Sequence, residues 1–272
     1  MYQPRLIFMI SSLLLTMLTP HAIANNDKPF PWPNNAKAAV NLAYDDALNS
    51  QLDIAIPQLN KAGLKGTFYI SLASVTLVNR LEDWRVAARK GHELGNHSLF
   101  HQCSKTGPGR DWVAESRNLD KVSVAQMAEQ VALGNSFLFA IDGKNERTYT
   151  PPCIDKLAGG EPYWPAIAHH FVALKGKGGG VTDNMWGLDP YEVGVDFPDG
   201  HTGEQLIAMV KEAAQKGTMV NFTFHGVGGD HMAVTAKAHQ ELLNYLAENK
   251  DIYYVDTFLN IMKHVKKVQS EQ

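Results

Sequence analysis

Short apolar, β-rich runs alternate with helix-period segments along almost the whole chain, and few folds accept that pattern. It is the pattern of βα units wound around a mostly parallel sheet or barrel. The spacing predicts strands at residues 38–44, 66–70, 93–96, 148–150, 171–174, 219–224 and 252–255. No internal repeat or long linker interrupts them. Two of the intervening helices open on a capping box, Ser123 with Gln126 and Thr202 with Gln205, in which a hydroxyl and an amide satisfy free N–H groups of the first turn. The second places Leu206, Met209, Val210 and Ala213 on one stripe and stops at Gly217, a residue suited to a left-handed C-terminal cap. Pro57 predicts a kink or a late start for the first helix. "GKGGG" at 176–180 reads as a flexible loop, without the Lys-Ser/Thr ending of a phosphate loop.

The first 24 residues read as an address. A lone Arg5, an apolar stretch from Leu6 to Leu18 and then Ala22-Ile23-Ala24 fit a secretory signal with small-x-small cleavage. The expectation is a mature chain beginning near Asn25, periplasmic or secreted, without stable membrane association after cleavage. About 248 residues remain, which suits one barrel-sized domain over 25–272. A formal charge of -3 and the lack of a dense basic cluster argue against nucleic acid as a partner. Two cysteines, Cys103 and Cys153, permit one disulfide in an oxidising compartment, or two free thiols.

In βα architectures chemistry collects at the C-terminal ends of strands. Here the first predicted strand ends in Asp45-Asp46, the third in His97 and the sixth in His225, so four ionisable groups would share one rim. His101 lies four residues after His97, a spacing that lets both imidazoles face one point. Two histidines and one carboxylate make a three-ligand catalytic metal site with an open position for water. One aspartate can then bind the ion while the other accepts a proton, and two adjacent carboxylates become tolerable beside a dication. Taken singly each residue has a plainer reading, a capping carboxylate or a structural histidine; all of them falling at strand ends is harder to dismiss. His92, His169, His170, His201, His231 and His239 lack that context and read as structural or solvated.

"AYDDA", then "KGTFYI", "GHELGNHSLFH" and a late "NFTFHGVGG" resemble the polysaccharide deacetylase family, the metal-dependent carbohydrate esterases sharing the NodB homology domain. The resemblance implies an irregular (β/α) barrel and hydrolysis of acetyl groups from N- or O-acetylated sugars of the chitooligosaccharide, xylan or peptidoglycan type. It implies Asp45 as catalytic base, Asp46, His97 and His101 as metal ligands, His225 as general acid, and one divalent ion: zinc, with cobalt, nickel or iron also compatible with that donor set.

Two departures stand out. Where the family has T-F-D-D-G this chain has Ala43-Tyr44-Asp45-Asp46-Ala47, and "TYTPPC" at 148–153 stands where an R-x-P-aromatic segment is expected. With Thr150 at the arginine position, the usual cationic partner of the catalytic aspartate has to come from elsewhere. Cys153 or a neighbour is expected to supply the backbone N–H for the oxyanion. Tyr163, Trp164 and Trp186 are candidates for stacking on sugar rings, and Asp183 or Asp189 for raising the pKa of His225. Two other readings stay open: an amide or imide hydrolase acting on a small molecule, and a non-catalytic glycan-binding module.

Overall fold

The computed structural model describes residues 28–271. The expected signal segment therefore lies outside the described residues. In chain order the strands are β1 (Ala38–Tyr44), β2 (Thr67–Ile70), β3 (Glu93–Asn96), β4 (Thr148–Tyr149), β5 (Leu157–Ala158), β6 (Glu161–Pro162), β7 (Ala173–Gly178), β8 (Val193–Val195), β9 (Met219–Phe224) and β10 (Tyr253–Asp256). The helices are α1 (Ile56–Ala62), α2 (Val75–Asn79), α3 (Leu81–Arg89), α4 (Val124–Asp142), α5 (Trp164–Ile167), α6 (Gly203–Lys216), α7 (Ala236–Glu248) and α8 (Phe258–Ser270).

A parallel ladder runs β1-β2-β3-β4-β7-β8, and β9 pairs with β1 on its opposite edge. Just beyond β8, the Asp196 N–H donates to Asn221 O (2.9 Å) and the Thr223 N–H donates back to Asp196 O (2.8 Å), so that a seven-strand barrel all but closes. β10 pairs with the first half of β1, over Ala38 to Asn41, while β2 takes its far end at Ala43 and Tyr44. The expected irregular α/β barrel is what the chain forms.

Alternation along β1 explains the layers. Ala38, Val40, Leu42 and Tyr44 point outward into one apolar cluster with α1, α6 and α7. Ala39 and Ala43 point inward, beside a plug formed by Phe258, Ile261 and Met262 of α8 at the strands' N-terminal mouth. Above that plug the lumen is polar. Glu93 accepts from Thr67 Oγ1 (2.8 Å), from Thr148 Oγ1 and from the Leu259 N–H (2.9 Å). Lys175 donates to Thr223 Oγ1 (3.0 Å) and lies over the Tyr69 and Phe258 rings.

Both capping boxes form, Gly217 closes α6 in the left-handed region (φ 72), and Pro57 opens α1 after a π-helical turn at Gln51–Ala55. The Gly-rich stretch differs from its reading as a loop. β7 runs on to Gly178 because the missing side chains admit β8: a Cβ on Gly194 would stand 2.2 Å from Gly179 O. β8 itself was not among the predicted strands.

Candidate metal centre and active site

The site sits on the C-terminal rim, where β1, β3 and β9 end. Asp45 follows β1, and its N–H donates to Phe224 O (2.9 Å). Buried Gln51 clasps two of these ends, its Nε2 donating to Asp45 O (2.5 Å) and to His225 O (3.1 Å). The chain then turns sharply, Asp46 and Ala47 both taking left-handed φ (78 and 56), which swings the Asp46 carboxylate away from that of Asp45. Ala47 thus occupies a conformation that suits the glycine of the family pattern.

His97 and His101 lie on a tight loop, not a helical turn. The Ser98 N–H donates to Asn96 Oδ1 (2.8 Å) and the His101 N–H to Ser98 Oγ (3.1 Å), with Ser98 and His101 both at positive φ. Asn96 is itself pinned to Val131 O and Asn135 Oδ1 on α4. His97 Nδ1 is 2.7 Å from Thr150 O, which directs Nε2 into the site.

Asp46 Oδ1 lies 3.2 Å from His97 Nε2 and 2.9 Å from His101 Nε2, yet it has no hydrogen-bond partner. The ring nitrogens crowd beside this oxygen without being aligned on it. That is the arrangement of donors converging on a shared ion, and two imidazoles with one carboxylate suit a divalent metal. Burial pushes the Asp46 carboxyl up, but the close imidazoles of His101, His231 and His97 outweigh it and hold it far below the usual carboxylate range.

Asp45 is buried, with Oδ2 3.9 Å from His97 Nε2 and Oδ1 unbonded. Desolvation raises its pKa, opposed by the charges of His97, His225 and Lys175. Lys175 is the buried cation that sequence reasoning missed, hidden beside a Gly-rich stretch that reads as loop. Burial pushes it down to about 7 against the fields of Asp45 and Glu93.

His225 stands at the end of β9, its Nε2 3.9 Å from Asp46 Oδ2 and its buried Nδ1 unbonded. Burial lowers its pKa, and Asp45 and Asp46 oppose that shift. Neither Asp183 nor Asp189 serves it: Asp183 pairs with Lys216 (2.9 Å) and Asp189 accepts from the Tyr191 N–H (2.8 Å). His231 was also missed. Its Nε2 lies 2.9 Å from Asp46 Oδ2, brought back to the rim by a glycine-rich return in which the Gly226 N–H donates to His231 O (3.0 Å). A second histidine just past a Gly-rich run after His225 was the available signal.

The Cys103–Cys153 disulfide joins the loop carrying His101 to the turn at residues 152–154. A cavity of about 670 Å³ opens over Asp46, His101, His225 and His231, walled by Cys153, Ile154, Phe197, Trp112 and Met232. A shallower depression of about 330 Å³ meets it at Asp46, His101 and Trp112 and extends past Ser71, Ser74 and Arg117. Trp112, 63% exposed, lines both depressions. Tyr163 is fully buried, its hydroxyl 3.1 Å from Tyr149 Oη and donating to Asp155 O; Trp164 packs in the same cluster; Trp186 packs at a tilt against Phe30, away from the site. Those three therefore pack the protein and do not line the groove.

Residues 33–156, which carry four of the five expected site residues, match the polysaccharide deacetylase family model. Among solved structures the chain is similar to the Xyl-CE4 domain of a multidomain xylanase from the Trinervitermes trinervoides hindgut metagenome (19% identity, TM-score 0.52, 85% of this chain and 91% of that one). It is similar to the peptidoglycan deacetylase PdaC of Bacillus subtilis (17%, 0.54, 85% and 93%) and to a family 4 acetyl xylan esterase of Clostridium thermocellum in complex with a cobalt ion (21%, 0.50, 84% and 92%). No curated protein matches the chain in sequence. At these identities the structures speak to the fold alone, and the barrel they share with this chain is the one that carries the motifs of residues 33–156, the segment that matches the polysaccharide deacetylase family.

Proposed function

We propose that the chain is an exported, metal-dependent hydrolase that removes acetyl groups from an acetylated oligo- or polysaccharide. The observation that carries this reading is the convergence at one rim of a buried carboxylate, Asp45, a three-donor cluster, Asp46, His97 and His101, and His225. Asp46, His97 and His101 hold the ion. When bound, it supplies Lewis acidity that lowers the pKa of water to about 7 and polarises the acyl oxygen.

Asp45 accepts the proton of the attacking water, in a position that burial and a cationic surround keep poised. Its cationic surround includes Lys175, which stands in for the arginine replaced at Thr150. The Ile154 N–H is taken by Pro151 O (3.0 Å), which leaves Cys153 as the backbone donor assigned to the oxyanion. His225 protonates the departing sugar nitrogen or oxygen. The two depressions meeting at Asp46 and Trp112 favour a substrate with sugar units on both sides of the reacting one. Export agrees with the disulfide, which oxidising compartments maintain.

The test is acetate release from acetylated xylan, chitooligosaccharides and peptidoglycan fragments, with elemental analysis of the protein and of His97→Ala. The expected outcome is release on at least one glycan and one ion per chain, lost in the variant. Undiminished metal in His97→Ala, or metal-replete protein silent on all three glycans, rejects the reading.

A further inference from the structure

Asp46 offers its two carboxylate oxygens to two different pairs of imidazoles. Oδ1 faces His97 and His101. Oδ2 lies 2.9 Å from His231 Nε2 and 3.9 Å from His225 Nε2, and the donor atoms of Asp46, His225 and His231 all lie within 4.8 Å of one another. We propose that this second face is a further divalent-cation site, with Asp46 bridging two ions, and that filling it switches the enzyme off by occupying His225. The proposal rests on the function proposed above and adds a mode of regulation to it.

A hydrogen bond from His231 to Asp46 needs only one imidazole. The second, His225, approaches the same oxygen with its Nε2 while its Nδ1 is buried and unbonded, and the two rings stand 5.5 Å apart. Two imidazoles and a carboxylate are a donor set for zinc, cobalt or nickel, and a carboxylate can bridge two such ions. The donors are also held in place. His231 lies on a return fixed by Gly228 N–H to Val234 O (2.8 Å) and Val234 N–H to Gly226 O (3.1 Å). Asp230 accepts from the Ser50 N–H (2.8 Å), which ties that return to the segment following Asp46.

His231 is half exposed and lines the cavity, so an ion reaching it from solvent keeps open positions for water. The sites fill in order. The first dication neutralises charge at Asp45 and Asp46, so a second meets less negative charge than the first and binds more weakly. Once bound, it holds the Nε2 lone pair of His225, and a nitrogen so engaged has no proton to give.

The experiment is a zinc titration of the chain already loaded with one equivalent, followed by elemental analysis and acetate assay. The natural chain should take up a second equivalent while acetate release falls at least tenfold, and chelation back to one equivalent should restore it. His231→Ala and the more conservative His231→Asn should both stop at one equivalent. In cobalt-loaded protein, the second equivalent should quench the paramagnetic signal of the first through the bridging carboxylate. A natural chain that saturates at one equivalent, or a second equivalent retained in both variants, overturns the proposal. Two equivalents bound with no acetate release at any loading would leave the second site standing and reject the acetyl-hydrolase reading instead.

Discussion

His225 is where a chemical role and a packing role diverge most. A general acid contributes about a hundred- to ten-thousand-fold, so His225→Ala should lose that much kcat on an N-acetylated sugar while keeping its fold. The loss should be smaller on a nitrophenyl acetate, whose weakly basic leaving group needs little protonation. An equal loss on both substrates would rule out the acid role. Four residues of this site could be read from strand ends, because a strand delivers its next residues to the rim with little freedom, and His101 from its spacing to His97. His231 could not, since it lies six residues past His225 and returns only through the hydrogen bonds of a glycine-rich loop. Lys175 escaped for the opposite reason. A lysine beside glycines looks solvated, and only the inward face of β7 shows it enclosed by Tyr69, Phe258 and Thr223.

Among the elements, β1, β3 and β9 match their predicted spans, and each is followed at once by a polar residue of the site, Asp45, His97 or His225. β4 keeps two residues and β8 three, lengths at which sequence alternation carries little signal. What organises the loops above them is covalent. The disulfide ties the segment after His101 to the turn at Cys153, and the Arg110 guanidinium, 3.0 Å from Asp155, reinforces the same junction. Replacing both cysteines by serine should cost about 2–4 kcal/mol of stability, read as a lower denaturant midpoint. Because His101 lies two residues from the crosslink, the same variant should bind its metal more weakly. An unchanged midpoint and unchanged metal affinity would show that the noncovalent junction suffices.

For the whole molecule, acid is the expected weakness. His239 is fully buried between Tyr44 Oη (2.6 Å) and Gln58 Oε1 (2.5 Å), and burial pushes it down to about 3; His92 is pushed down to about 4. Both must stay neutral in the folded state but take up protons when unfolded. Their stabilisation is therefore complete above about pH 6.5 and is lost as the pH falls through about 4 and 3, at up to about 1.4 kcal/mol per pH unit for each. Buried Asp45 and Glu93, whose pKa values are raised, act in the opposite sense. Melting temperature should therefore drop below pH 6.5, and His239→Gln should flatten that decline; an equally steep decline in the variant would acquit His239. β1 is gripped by β9 along one edge and by β10 and β2 along the other. Held on both edges, β1 should have amides among the last to exchange in heavy water. Asp46 lies two residues beyond that strand, so the carboxylate around which four imidazoles gather would be carried by the slowest unit of the protein.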